Sequence, residues 1–111
     1  MNIVFSSENE INIAKLSGRI DTTNSDEVQS ELLGKINSGA TKLAIDFSEV
    51  TYISSAGLRA ILASVKEITK KEGKLAIFSM QDNIKDVFDM SGFSAIMNIL
   101  PDYNSIKEFM K

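Results

Sequence analysis

Cysteine and histidine are both missing from this chain of 111 residues. Without cysteine there are no disulfides, thiolate metal sites or thiol nucleophiles, and the chain suits a reducing compartment. Losing histidine removes more, because histidine is the usual general base near neutral pH and the commonest metal ligand. Catalytic triads, zinc sites and phosphohistidine relays all lack their central group. Long hydrophobic runs are absent too: an apolar stretch such as Leu75 to Phe78 is far short of the roughly twenty residues a spanning helix needs. The N-terminus carries no signal-peptide pattern, and no Gly-x-x-x-x-Gly-Lys-Ser/Thr loop is present to hold a nucleotide. The net charge of -3 opposes binding to nucleic-acid phosphates, which depends on clustered Lys and Arg. The chain therefore reads as soluble and cytoplasmic, with no cofactor or metal, no nucleic-acid partner and no membrane insertion.

What is present suits a single domain over residues 1–111. Proline occurs once, the six glycines are dispersed, and 43% of the residues are hydrophobic, enough apolar surface to fold without crosslinks. Ile3 and Phe5, then Ile11 and Ile13, alternate with polar neighbours around Glu8-Asn9-Glu10, which predicts an opening hairpin. Asn24, with Glu27 three residues on, is a helix N-cap signal; Val28, Leu32, Leu33 and Ile36 form the stripe behind it, and Gly39 lies past its end.

Lys42 to Phe47 and Leu75 to Phe78 are apolar without strict alternation, as in strands covered on both faces. Between them Leu58, Ile61, Leu62, Val65 and Ile68 fall at helical spacing, predicting a helix that ends near Gly73. Ile84, Val87 and Phe88 predict a short helix ending at Gly92, Ile96 to Leu100 a short strand, and Tyr103, Ile106, Phe109 and Met110 a terminal helix. The expected fold is α/β, a mixed and mostly parallel sheet of about five strands with about four helices.

The informative segment runs from Asp46 to Arg59, where a buried strand gives way to the long helix with Ser54 and Ser55 at its start. First-turn amides lack intrahelical partners and the helix dipole is positive there, so a serine can cap the helix and a phosphate can be stabilised. Neither serine has Glu or Gln three residues later, so one hydroxyl is expected to cap while the other stays free. The sequence leaves open which. Read by themselves, Ser54 and Ser55 are caps and Gly57 a close-packing residue. Asp46 reads as a local backbone partner, Asp21 as a turn residue and Arg59 as solvated surface charge.

Two motifs add to this. Leu16-Ser17-Gly18-Arg19-Ile20-Asp21 resembles the Gly-x-Leu/Ile-Asp of the STAS family. Asp46-Phe47-Ser48, followed by Tyr52-Ile53-Ser54-Ser55-Ala56-Gly57-Leu58-Arg59, resembles that family's strand-to-helix segment. Over nearly its whole length the chain is similar to a bacterial anti-sigma factor antagonist. The resemblance implies a switch rather than an enzyme: an anti-sigma factor kinase phosphorylates the serine two positions before the helix-start glycine, which maps onto Ser55, with Ser54 the second choice. Ser54 stands where many family members carry Asp. The implied partner surface comprises Asp21, Ser54, Ser55, Ala56, Gly57 and Arg59, and a serine phosphatase resets it. Sigma-factor-dependent transcription is the implied output.

Other readings carry less. Within the same family, a scaffold or ligand-binding subunit of a signalling or lipid-transport assembly is the alternative. A catalytic reading would rest on Asp82, Asp86 and Asp89 at helical spacing, the ordinary composition of an exposed face. A phosphoacceptor receiver domain, for which Asp46 would serve, begins strand-helix-strand, whereas this chain opens with a hairpin.

Overall fold

The computed structural model describes residues 2–111. Its elements are β1 (Asn2–Glu8), β2 (Ile11–Ile20), α1 (Ser25–Asn37), β3 (Lys42–Ile53), α2 (Ser55–Lys70), β4 (Lys74–Phe78), α3 (Asp82–Met90), β5 (Asn98–Leu100) and α4 (Tyr103–Phe109), with one 3-10 turn at Phe93–Ala95. The sheet order is β1-β2-β3-β4-β5. β1 and β2 pair antiparallel, and every later neighbour is parallel. The expected mixed sheet and all nine expected elements are present.

Alternation along the strands divides the core into two layers. Ala14, Leu16, Leu43, Ile45, Phe47, Leu75 and Ile77 point to one face. There they meet Val28, Leu32 and Ile36 of α1, Leu58, Ile61 and Ile68 of α2, and Ile84 and Phe88 of α3. Phe47 and Phe88 meet edge to face at 6.0 Å between ring centres. Ile11, Ala44, Ala76 and Phe78 point the other way and are covered by Ile106 and Met110 of α4. Each such Leu, Ile or Phe contributes about 1.5–3 kcal/mol through burial, so the three-helix face holds most of the stabilisation.

Two elements depart from expectation in their extent and one in its capping. β3 runs on to Ile53: its first half pairs with both β2 and β4, whereas Glu49 to Ile53 pair with β2 alone. On the unpaired side, Gln81 Nε2 donates to Ser48 O (3.1 Å) and Asn83 Nδ2 to Thr51 O (3.4 Å), so the start of α3 braces the overhang. β5 is confined to Asn98–Leu100, because the 3-10 turn consumes the chain before it and Ile96 is 57% exposed. At α1 the cap position is Asn24, but its side chain makes no capping bond to the helix. It turns back instead, accepting from Asp21 N at 3.0 Å and donating to Arg19 O at 2.7 Å.

Candidate functional site

The C-terminal ends of β2 and β3 lie side by side, with Ile20 opposite Ile53. From there Ser54 N donates to Ile20 O at 2.9 Å, which fastens the start of α2 to the end of β2. The approach is close enough to require glycine. A Cβ on Gly57 would stand 2.8 Å from Ile20 Cγ2, 2.8 Å from Ile53 Cγ1 and 3.2 Å from Ile20 O. Thus the Gly18–Asp21 segment and the serine pair, far apart in sequence, form one end of the sheet.

The two hydroxyls divide their work. Ser54 is the N-cap, extended at φ -91° and ψ 173°, and its Oγ accepts from Gly57 N at 3.2 Å. Ser55 is the first helical residue and is exposed. The first turn of α2 holds no acidic residue, so nothing there offsets the positive end of the dipole. Ala56 is half-buried and Gly57 buried, while Arg59, one turn into the helix, is exposed.

Asp21 is half-buried and organises its own loop. Its Oδ1 accepts from the Thr23 hydroxyl and, at 3.0 Å, from Thr23 N. Asp21 O accepts from Ser25 N at 2.9 Å. The Thr23 hydroxyl, then the Thr23 amide, hold its carboxyl below the ordinary range against the opposing effect of burial. Arg19 Nε lies 3.8 Å from Asp21 Oδ2 and reinforces that direction. Asp46 is a local backbone partner: its Oδ1 accepts from Ser48 N at 2.9 Å, beyond the sheet's paired stretch with β4.

One feature of this end was not expected. The Arg19 guanidinium lies 4.1 Å from the centre of the Tyr52 ring, a cation–π contact on a tyrosine that is 40% exposed. Val50 and Ile53 are buried with Thr51 and Tyr52 both exposed between them, so strict alternation does not predict the outward Tyr52. Its pairing with Arg19 depends on two irregularities in the β2–β3 register, which no sequence pattern announces.

The acidic residues of α3 sit elsewhere. Asp89 accepts from Lys85 Nζ at 3.2 Å and from the Ser94 hydroxyl, while Asp82 and Asp86 are exposed. Among the described residues no group of three or more carboxylates, histidines or cysteines is gathered as a metal would need. No helix among them is long and apolar enough to cross a membrane.

Residues 2–108 match the STAS domain. BtrV of Bordetella bronchiseptica, provisionally classed as an anti-sigma factor antagonist, is 32% identical over 93 residues, covering 84% of this chain and 78% of BtrV. Among solved structures, an anti-sigma factor antagonist from Mycobacterium paratuberculosis superposes with a TM-score of 0.89 at 16% identity, over 98% of this chain and 92% of that one. The Bacillus cell fate determinant SpoIIAA in its phosphorylated form superposes with a TM-score of 0.73 at 18% identity, over 97% and 99%.

Proposed function

The chain belongs to the STAS domain family, and on that premise we propose that it is an anti-sigma factor antagonist whose partner binding is switched off by phosphorylation of Ser55. Unmodified, it docks an anti-sigma factor kinase in the cytoplasm through Asp21, Ser54, Ser55, Ala56, Gly57 and Arg59. The sigma factor held by that kinase is thereby released for transcription. A serine phosphatase restores the binding form.

The observation that carries this reading is the division between the serines: Ser54 Oγ already serves the Gly57 amide, whereas Ser55 is exposed at the helix start. In the transfer, Ser55 Oγ bonds to the γ-phosphorus of ATP, the bond from that phosphorus to the ADP oxygen breaks, and the serine proton leaves to a base on the kinase. The kinase supplies ATP and magnesium, and this chain supplies only the hydroxyl. It is a substrate, not a catalyst.

Modification adds about -1.5 to -2 charge at a point that the partner must cover. A penalty of about 3 kcal/mol for burying that charge weakens binding by roughly a hundredfold. Because Ser55 leaves the cap untouched, binding is lost without unfolding α2.

The test is to incubate the protein with the anti-sigma kinases of its host and ATP, then map the modified residue by mass spectrometry in wild type, Ser54→Ala and Ser55→Ala. Modification at Ser55, lost in Ser55→Ala and kept in Ser54→Ala, is the expected result. Equal modification of Ser55→Ala would overturn the acceptor assignment, and failure of every kinase to bind would overturn the pathway.

A further inference from the structure

β1 is the open edge of the sheet. It pairs on one side only, in unbroken register from Asn2 opposite Ser17 to Glu8 opposite Ile11. The connecting turn is two residues, Asn9 and Glu10, both at positive φ (51° and 69°), the type that matches strand twist. Such a turn makes Glu8 and Ile11 a pair that exchanges both backbone hydrogen bonds. Alternation then directs the backbone groups of Ser6, Val4 and Asn2 toward β2, and those of Ile3, Phe5 and Ser7 outward.

Sheet edges are normally guarded by lysine, proline, a bulge or brevity. The opposite edge, β5, is three residues long. β1 has seven residues, no lysine, proline or bulge, and no charge before Glu8. Val4 at its middle is 55% exposed.

A second observation lies beside the strand. On the three-helix face a shallow groove of about 370 Å³ is lined by Phe5 and by Ser30, Glu31, Gly34, Lys35 and Ser38 of α1. The helix there presents only small side chains at Ser30, Gly34 and Ser38, and nothing stands within 4 Å of where a Gly34 Cβ would be. Room is left next to the edge on the side toward which Ile3 and Phe5 point. Glu31 and Lys35 complete the lining, and the Lys35 amine lies over the Phe5 ring, 5.2 Å from its centre.

We infer that β1 is a dimerisation strand, pairing antiparallel with β1 of a second copy of this chain about a twofold axis through Val4. The register satisfies every constraint at once. Val4 faces Val4 of the second copy in a close, non-hydrogen-bonded pair, and Ile3 and Phe5 of opposite copies exchange backbone hydrogen bonds with the groups that point outward. Asn2 faces Ser6, and Glu8 falls outside the paired stretch, so no like charges oppose. Ile3 of each copy enters the groove beside the other's Phe5. Two five-stranded sheets become one of ten strands. The twofold stands normal to that sheet, so the two Ser55 sites face opposite ends and both stay open to partners.

Sedimentation of the full chain from about 1 μM to about 1 mM tests this, with amide hydrogen exchange at both limits. The expected result is a mass rising from 12.2 kDa toward twice that value, with the Ile3 and Phe5 amides gaining at least tenfold protection at the high limit. Val4→Lys places like charges on the axis at an exposed position and, within each copy, stands opposite Lys15; it should weaken dimerisation at least tenfold, with only a small fall in the urea midpoint at sub-micromolar protein. A wild type that stays monomeric throughout, a dimer that leaves the Ile3 and Phe5 amides unprotected, or a folded Val4→Lys that dimerises as wild type does would each overturn the inference. The exchange measurement decides the matter on the wild type alone if Val4→Lys fails to fold.

Discussion

Replacing Gly57 and Gly34 by alanine should give opposite signs, although both lie in helices. In an unobstructed helix interior, alanine is favoured over glycine by up to about 1 kcal/mol through backbone entropy. Gly34, with open space around its missing Cβ, should realise about 0.5–1 kcal/mol of stabilisation. At Gly57 the new methyl lands 2.8 Å from two isoleucine carbons and 3.2 Å from a backbone oxygen. Ile20 is fully buried and Ile53 3% exposed, so neither can swing away into solvent. Overpacking of this kind costs about 1–3 kcal/mol, and subtracting the helix gain leaves a net loss centred on about 1 kcal/mol. The two variants should therefore differ by about 2 kcal/mol. With a urea dependence of about 1–3 kcal/mol per molar, their midpoints should separate by about 1 M, with wild type between them. Equilibrium urea unfolding at sub-micromolar protein, where association is negligible, reads this directly. A Gly57→Ala midpoint at or above wild type would refute the claim that the start of α2 is pressed against the ends of β2 and β3.

The serines should separate in stability as well as in chemistry. Ser54→Ala removes the cap and should cost about 1 kcal/mol, whereas Ser55→Ala should change stability by less than about 0.5 kcal/mol, both by thermal unfolding. Phosphorylation of Ser55 should raise the melting temperature by a few degrees, since its charge meets the positive end of a helix with no acidic residue in its first turn; a fall would show that the modification disrupts α2. The Asp102 carboxyl is held low, first by the Ser105 amide and then by the Ser105 hydroxyl. A carboxylate whose folded pKa is depressed favours the folded state above the unfolded value of about 3.9, and loses that contribution as pH falls through the lower folded value. The urea midpoint should thus decline below about pH 4, less steeply in Asp102→Asn, which keeps a capping acceptor without the titration. Phe88→Ala, which empties the contact with Phe47, should cost about 3–5 kcal/mol in the same assay.

Periodicity carried the existence and type of every strand and α-helix, though not the 3-10 turn at Phe93–Ala95, because the strands are apolar where both faces are covered and the helices keep one apolar stripe. It misjudged extent where coverage changes along an element. Ser48, Glu49 and Thr51 break the apolar pattern of β3 because that half loses β4 as a neighbour. Leu62 and Val65, on the stripe expected for α2, are only half-buried, whereas Ala60 and Ser64 are buried. Small residues set the depth of that helix, and a hydrophobicity pattern does not rank them. At the site, two hydroxyls before an apolar helix marked the place. Which of them caps depends on the extended backbone at Ser54, and that is set by its bond to Ile20 O, a contact with a strand on the far side of α1.

Strand order that repeats chain order has a bearing on how this molecule is made. Each strand after the hairpin finds its pairing partner already synthesised and reaches it by closing a loop no longer than one helix and its links. Short closures keep the entropic barrier to parallel pairing low. Growth on a ribosome can then proceed outward from the first hairpin, one pairing at a time, without any earlier strand having to part to admit a later one.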